Sequence, residues 1–579
     1  MKLPVFSQMF NKIEFYGFSA VSMVLVAGVY PSIAQAPNPQ GNPNQDRFPQ
    51  SLPTPAPLAP EPQPPLQPTP TPTPESTETP STETIQVQKI EVLGSTLFNS
   101  AALNPIIQPL EGRTVTFTEL KKAADAITQL YLNQGYITSR AVLVDQKVTN
   151  GIIKIQVIEG GLEKIEVQGT KRLNSSYVRS RIALGAGKPL STAKLEEQLK
   201  ILRIDPLISN VEASLQPGNS LGQSILIVRV TEANPFDANI SIDNYSPPSV
   251  GSERLGLSAT HRNLTGMGDE LGISYYFSTQ GVSNIYDFTY KVPLNPMNGT
   301  LQLRTSINNN QVIEPKFKAL NIRGESELYE ISYRQPLVRS LREEFALSLG
   351  FSYQDGQTFT FAGPTPFGFG PDTQGNSRTR VFKFGQDYVR RDTTGAWALR
   401  SLFSVGTGVF DATTNPSPIP DGRFFSWLAQ VQRVQRLNQN NLLIAQAELQ
   451  LAPNGLLPSQ QYIIGGGQSV RGYRQNARAG DNGIKFSLED RITVQKDAAG
   501  NAMLQFAPFV DLGYIWNVDT NPNLLQSQQF LAGTGLGILF QPLPNLNLRL
   551  DYAVPLINLQ DRGINAQDDG LYFSANYRL

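Results

Sequence analysis

From about Asn234 to Leu579 apolar and polar residues alternate with period two, and the alternation is broken by turns rich in Gly, Asn, Asp and Pro. Phe345, Leu347, Leu349, Phe351 and Tyr353 alternate with Ala346, Ser348, Gly350 and Ser352. Leu546, Leu548, Leu550 and Tyr552 alternate with Asn547, Arg549 and Asp551; Leu571, Phe573, Ala575, Tyr577 and Leu579 with Tyr572, Ser574, Asn576 and Arg578. Successive side chains of a strand point to opposite faces, so such segments build a wall that is apolar outside and wet inside. Segments start near residues 237, 252, 270, 284, 299, 325, 343, 376, 395, 424, 442, 483, 505, 531, 545 and 569, sixteen in all. An even number of antiparallel strands with one lipid-facing side predicts a transmembrane β-barrel over 234–579. A soluble sandwich would need a dry inner face. Tyr275, Tyr276, Trp427 and Trp516, near strand ends, are expected in the interfacial girdles.

Between 85 and 233 the texture is mixed, and it repeats. Val87 to Val92 alternates like a strand and stops at Gly94. Phe117 to Asn133 carries Leu120, Ala123, Ala124, Ile127, Leu130 and Tyr131 on one helical face, with Thr116 or Thr118 to cap it and Gly135 to end it. Strands are predicted at 137–144 and 151–158. The order then recurs: Leu162 to Gly169 echoes the first strand (IEVLG against IEVQG), helical segments follow at 174–182 and 192–203, then strands at 209–216 and 224–230. A repeat of roughly 75 residues predicts two α+β modules in series, 85–159 and 160–233.

The N-terminus reads as an export signal over 1–36: Lys2 and Lys12, an apolar run from Phe18 to Tyr30, and Ala34-Gln35-Ala36 as a cleavage site. Residues 37–84 are dense in proline, which blocks helix and sheet ladders, so this tract is expected to be a disordered spacer. After residue 30 no stretch reaches the ~18 apolar residues of a membrane helix, which leaves a barrel as the way across.

Composition narrows the chemistry. There are 48 basic and 48 acidic residues, so no basic excess favours nucleic acid. Cysteine is absent and His261 is the one histidine, which removes disulfides, thiol chemistry and the usual zinc sites. His261 has no spaced Ser/Asp partners, so no catalytic residue, metal or cofactor is expected, and the chain is not read as an enzyme.

The longest break between strands, about 453–482, follows the eleventh and contains Gly465-Gly466-Gly467-Gln468-Ser469-Val470-Arg471-Gly472-Tyr473-Arg474. Two strands later comes Phe509-Val510-Asp511-Leu512-Gly513-Tyr514. No Lys-Ser/Thr follows the glycines, so they are not a phosphate-binding loop. With the tandem modules upstream, the combination resembles the two-partner secretion transporters, the haemolysin secretion/activation proteins (ShlB/FhaC/HecB type) of the BamA-like superfamily. The resemblance covers roughly 85–579. It implies periplasmic POTRA modules and an outer-membrane barrel whose sixth extracellular loop folds inward, with Val470, Arg471, Gly472 and Tyr473 as its tip. It also implies that Arg471 pairs with Asp511 on the inner wall of strand thirteen. Alternation there puts Val510, Leu512 and Tyr514 towards lipid, leaving Asp511 and Gly513 to face the lumen. A guanidinium meets a carboxylate with two parallel hydrogen bonds, and Gly513 leaves room for the tip.

The function so implied is capture of an unfolded, β-helical, adhesin- or cytolysin-like exoprotein in the periplasm and its secretion through the barrel without nucleotide hydrolysis. Strand addition at Ser209 to Gln216, with Val211, Ala213 and Leu215 on one face, is the expected capture edge. Outer-membrane lipid, and the barrel-assembly machinery during insertion, are the further partners expected. The alternatives are an insertase or general import channel of the same superfamily, and a passive porin, in which the modules would have no use.

Overall fold

The computed structural model describes residues 66–68 and 84–579. The expected export signal and most of the proline-rich tract lie outside the described residues.

The first module opens with Thr84–Val87, paired antiparallel with Arg113–Thr116. Its main sheet runs in the order Lys89–Leu93, Ile152–Ile158, Arg140–Leu143. The helix Phe117–Asn133 starts at Thr116, not Thr118: the Thr116 hydroxyl accepts from the Glu119 N–H (3.2 Å), while the Glu119 carboxylate accepts from the Thr116 N–H (2.7 Å). This reciprocal cap satisfies two donors the helix cannot use itself. Leu120, Ala123, Ala124, Ile127 and Tyr131 form its buried face. The structure departs from the expected order: Gln88 separates two strands in place of one, the strand Arg113–Thr116 is additional, and so is a helix, Ser100–Ile107, which contains Pro105.

The second module has the strand Gly161–Gln168, the helices Ser175–Ala183 and Thr192–Arg203, and the strands Ile208–Pro217 and Gln223–Glu232. Both modules end on the same device. Glu159 accepts from the Thr96 hydroxyl, the Thr96 and Leu97 N–H groups and Tyr131. Glu232 accepts from the N–H groups of Lys171, Arg172 and Leu173. In each case a carboxylate closing the last strand satisfies the turn after the first. Burial would raise the Glu159 carboxyl, but these donors outweigh it and hold the group below the usual carboxylate range.

Three residues of the proline-rich tract form a strand. Leu66–Pro68 runs parallel to Ile208–Pro217, with Leu66 opposite Ala213 and Pro68 opposite Leu215. A residue before proline is pushed to extended backbone, which suits Gln67 to a ladder.

Sixteen strands, from Phe236–Asp243 to Leu571–Arg578, close into an antiparallel barrel; a two-residue strand, Gly363–Pro364, folds back on the seventh. The first strand pairs with the last from Asn239–Arg578 to Asp243–Ser574. Among the described residues no helix is long and apolar enough to cross a membrane. Alternation shows directly in strand thirteen, Ala502–Trp516, where Val510 and Tyr514 are about two-fifths exposed on the outer face while Asp511 and Gly513 are buried inside. Outward aromatics stack: Tyr275 on Tyr286 (4.7 Å between centroids) and Tyr514 on Trp516 (5.7 Å). Tyr276 does not join the girdle. As the chain neighbour of Tyr275 it faces the opposite way, and it lies buried with the Arg254 guanidinium 5.1 Å from its ring centre.

Module two seats against the near rim of the barrel. The Asn174 N–H donates to the Gly266 carbonyl (2.9 Å), and Arg181, stacked on Tyr177, donates to Asn298 (3.1 Å). The strand-eleven break therefore springs from the opposite, far rim.

Candidate functional site

Strand eleven, Asn441–Leu451, ends at the far rim and strand twelve, Asn482–Lys496, begins there. The intervening loop folds back into the barrel around a small hairpin, Tyr462–Ile464 against Arg478–Gly480. Its apolar side packs Tyr462, Ile464, Val470, Tyr473 and Ala477 on Ile515 and Leu531 of the wall. The site is thus a polypeptide segment held inside the lumen.

Arg471 is the centre of the attachment. Its guanidinium donates through Nε to Asp511 Oδ2 (2.6 Å) and through Nη2 to Asp511 Oδ1 (2.9 Å), and its backbone N–H also reaches Oδ2 (3.1 Å). Nη1 donates to Glu489 (2.8 Å). The guanidinium plane lies 3.3 Å from the centre of the Phe509 ring, a cation–π contact. Asp511 is fully buried and also accepts from Ser487 (2.6 Å). An isolated buried charge costs several kcal/mol, so the balance of the surroundings matters. Glu489 pairs with Arg491 (2.7 Å) and Arg549 (2.7 Å), and Arg549 pairs with Asp551 (2.7 Å). Three carboxylates on strands twelve, thirteen and fifteen thus face three guanidiniums, and the cluster is neutral.

The backbone of the tip fits because three wall or tip positions lack side chains. Gly472 sits at φ +102° with Pro555 pressed against it. A Cβ on Gly513 would stand 2.8 Å from Val470, and one on Gly533 would stand 1.9 Å from the Arg471 carbonyl oxygen. The Gly472 N–H donates to the Tyr572 hydroxyl (2.9 Å), which donates to the Tyr473 carbonyl (2.5 Å). The Tyr473 hydroxyl in turn meets the Ala532 carbonyl (2.8 Å).

The structure brings Val470, Arg471, Gly472 and Tyr473 onto Asp511 and Gly513. The sequence pattern places Arg549, Asp551 and Tyr572 only on the alternating face of their strands, not at the site, and does not single out Glu489 or Ser487. Phe509 was visible as the first residue of F-x-D-x-G, two positions from Asp511 and on the same face. At the proposed capture edge, Val211 and Ala213 are buried in the core of module two and Leu215 packs against it. Those side chains are not presented outward; the edge offers its backbone, and Leu66–Pro68 lies along it.

The family model described as haemolysin secretion/activation protein ShlB/FhaC/HecB matches residues 222–540, more than half of the chain. The chain belongs to this family. A second model, the ShlB-type POTRA domain, matches residues 85–160 of this ShlB/FhaC/HecB member. The outer membrane transporter CdiB of Escherichia coli is 26% identical over 410 residues, which cover 69% of this chain and 67% of that protein. The heme/hemopexin transporter protein HuxB of Haemophilus influenzae (strain 86-028NP) is 22% identical over 468 residues, 78% and 80% of the two chains. The solved structure of CdiB from Escherichia coli superposes with a TM-score of 0.66 at 20% identity, covering 88% of this chain and 93% of that one. This ShlB/FhaC/HecB protein is an outer-membrane translocator of two-partner secretion with periplasmic POTRA domains, and that assignment carries with it a secreted exoprotein partner.

Proposed function

We propose that the chain takes an unfolded exoprotein from the periplasm and passes it through the barrel after the inward loop has withdrawn. The observation that carries this reading is the neutral charge cluster around Arg471. It makes the occupied lumen stable at rest, yet every bond in it reaches the wall through a wall side chain and can be exchanged without unfolding the wall. The client is a β-helical, adhesin- or cytolysin-like protein. It acts on the edge of Ile208–Pro217 by strand addition, where main-chain pairing gives affinity and sequence matters little. Leu66–Pro68 lies on that edge in parallel, so an extended segment fits there, and a client must displace it. No catalysis or nucleotide is involved, and client folding outside the cell supplies the free energy. Outer-membrane lipid surrounds the barrel, and the barrel-assembly machinery inserts it.

The test is photo-crosslinking in intact cells that co-express a candidate exoprotein. A crosslinking residue replaces Glu212, which is exposed on the edge strand. A client adduct at 212, absent when the residue replaces exposed Lys121 on the first module, supports the reading. Equal labelling at both positions, or none at 212 during active secretion, contradicts it.

A further inference from the structure

The barrel seam is short. The first and last strands share a ladder only over Asn239–Asp243 and Ser574–Arg578, the shortest register between neighbouring crossing strands. Beyond it the seam has one backbone bond at each end, from the Leu579 N–H to the Ala238 carbonyl (2.9 Å) and from the Asn244 N–H to the Phe573 carbonyl (3.3 Å), and then continues through a side chain. Asn244 is fully buried, accepts from the Phe573 N–H (2.9 Å) and donates to the Leu571 carbonyl (2.9 Å), as a backbone amide would. The carbonyl of Asn244 and that of Ser246 (2.7 Å) both accept from the side-chain amide of Gln567. The other end of that same amide, Oε1, accepts from the N–H of Gln475 (2.7 Å), four residues past Arg471 in the inward loop. Gln567 and Gln475 are buried, and Arg474 grips the adjacent Asp568 through two hydrogen bonds (2.9 and 2.8 Å).

We propose that Gln567 is a positioning residue that couples the inward loop to the barrel seam: the seated loop holds the seam shut, and withdrawal of the loop loosens it. The side chain suits the task because a primary amide both accepts and donates two hydrogen bonds. It receives one from the loop and gives two to the first-strand side of the seam. A carboxylate at this position would still accept from Gln475 but could give nothing to Asn244 or Ser246. The coupling needs no client, so it stands apart from the capture reading above.

Hydrogen exchange of the full-length protein in lipid nanodiscs tests it, with the amides of 239–243 and 574–578 as the readout. Arg471→Ala unseats the loop and is expected to speed exchange of these amides at least tenfold. Gln567→Glu is expected to speed them as well while leaving the loop amides of 462–480 protected. In the Gln567→Glu background Arg471→Ala is then expected to change the seam amides less than twofold, while strands 376–391 and 395–406 stay as in the wild type. Should Gln567→Glu fail to fold, Gln475→Pro removes the donor on the loop side and makes the same cut. Arg471→Ala with no effect on the seam, or with the same factor in both backgrounds, overturns the proposal.

Discussion

Arg471 and Asp511, forty residues apart, meet inside the barrel through two parallel hydrogen bonds of 2.6 and 2.9 Å with Phe509 stacked on the guanidinium. The pair is buried and belongs to a neutral cluster, so removing either partner leaves the cluster with one uncompensated buried charge. Such losses cost about 3–5 kcal/mol. Arg471→Ala and Asp511→Ala are each expected to cut secreted exoprotein at least tenfold while the barrel remains inserted. Arg471→Lys keeps the charge but not the planar fork or the stacking surface, and is expected to be intermediate. Immunoblots of medium and outer membrane, with heat-modifiable gel migration to report the folded barrel, measure all three.

The seat of the loop is steric as well as electrostatic. Gly533 faces the Arg471 carbonyl at a distance no Cβ tolerates. Gly533→Val is therefore expected to expel the tip with every charge intact. Trypsin cleavage after Arg471, Arg474 or Arg478 in intact vesicles should become rapid, against slow cleavage in the wild type.

Tyr473 makes a smaller contribution. Its hydroxyl bonds the backbone at Ala532 and Ile557, and one such bond is worth about 1 kcal/mol. Tyr473→Phe is expected to raise the same trypsin rate about fivefold, well short of Gly533→Val.

Glu159 ties the end of the first module to its opening turn. Its folded-state pKa lies below the unfolded value, so its stabilisation is complete above the unfolded pKa and disappears as pH falls through the folded one. Glu159→Gln is expected to lower resistance of residues 94–98 to proteolysis at neutral pH, by about 2–3 kcal/mol for a multiply bonded charged acceptor. The gap between variant and wild type should close as the medium is acidified below the carboxylate range. A gap that persists at low pH would remove the carboxylate from the account.

Much of the barrel was legible because period-two alternation leaves little freedom: each expected strand start lies within three residues of the observed one. Aromatic character alone puts Tyr276 on the wrong face, although its neighbour Tyr275 takes the lipid side and alternation turns Tyr276 inward. The helix Ser100–Ile107 was hidden by Pro105, which usually ends a helix. Arg471 and Asp511 were readable from their motifs. Glu489, Arg549 and Asp551 were not, because each looks locally like any lumen charge, and only barrel closure and strand register gather them at one point. Gln567 is harder still, since its role depends on three separate segments meeting.

Disulfide trapping of the loop is the most direct test. The chain contains no cysteine, so Val470→Cys with Gly513→Cys places one thiol on the tip and one on the wall, at positions in contact. Oxidised cells should retain the exoprotein in the periplasm, and reductant should restore its release to the level of the single variants. Equal release with the bond formed and with it reduced would contradict the account, because the loop would then not need to leave its seat.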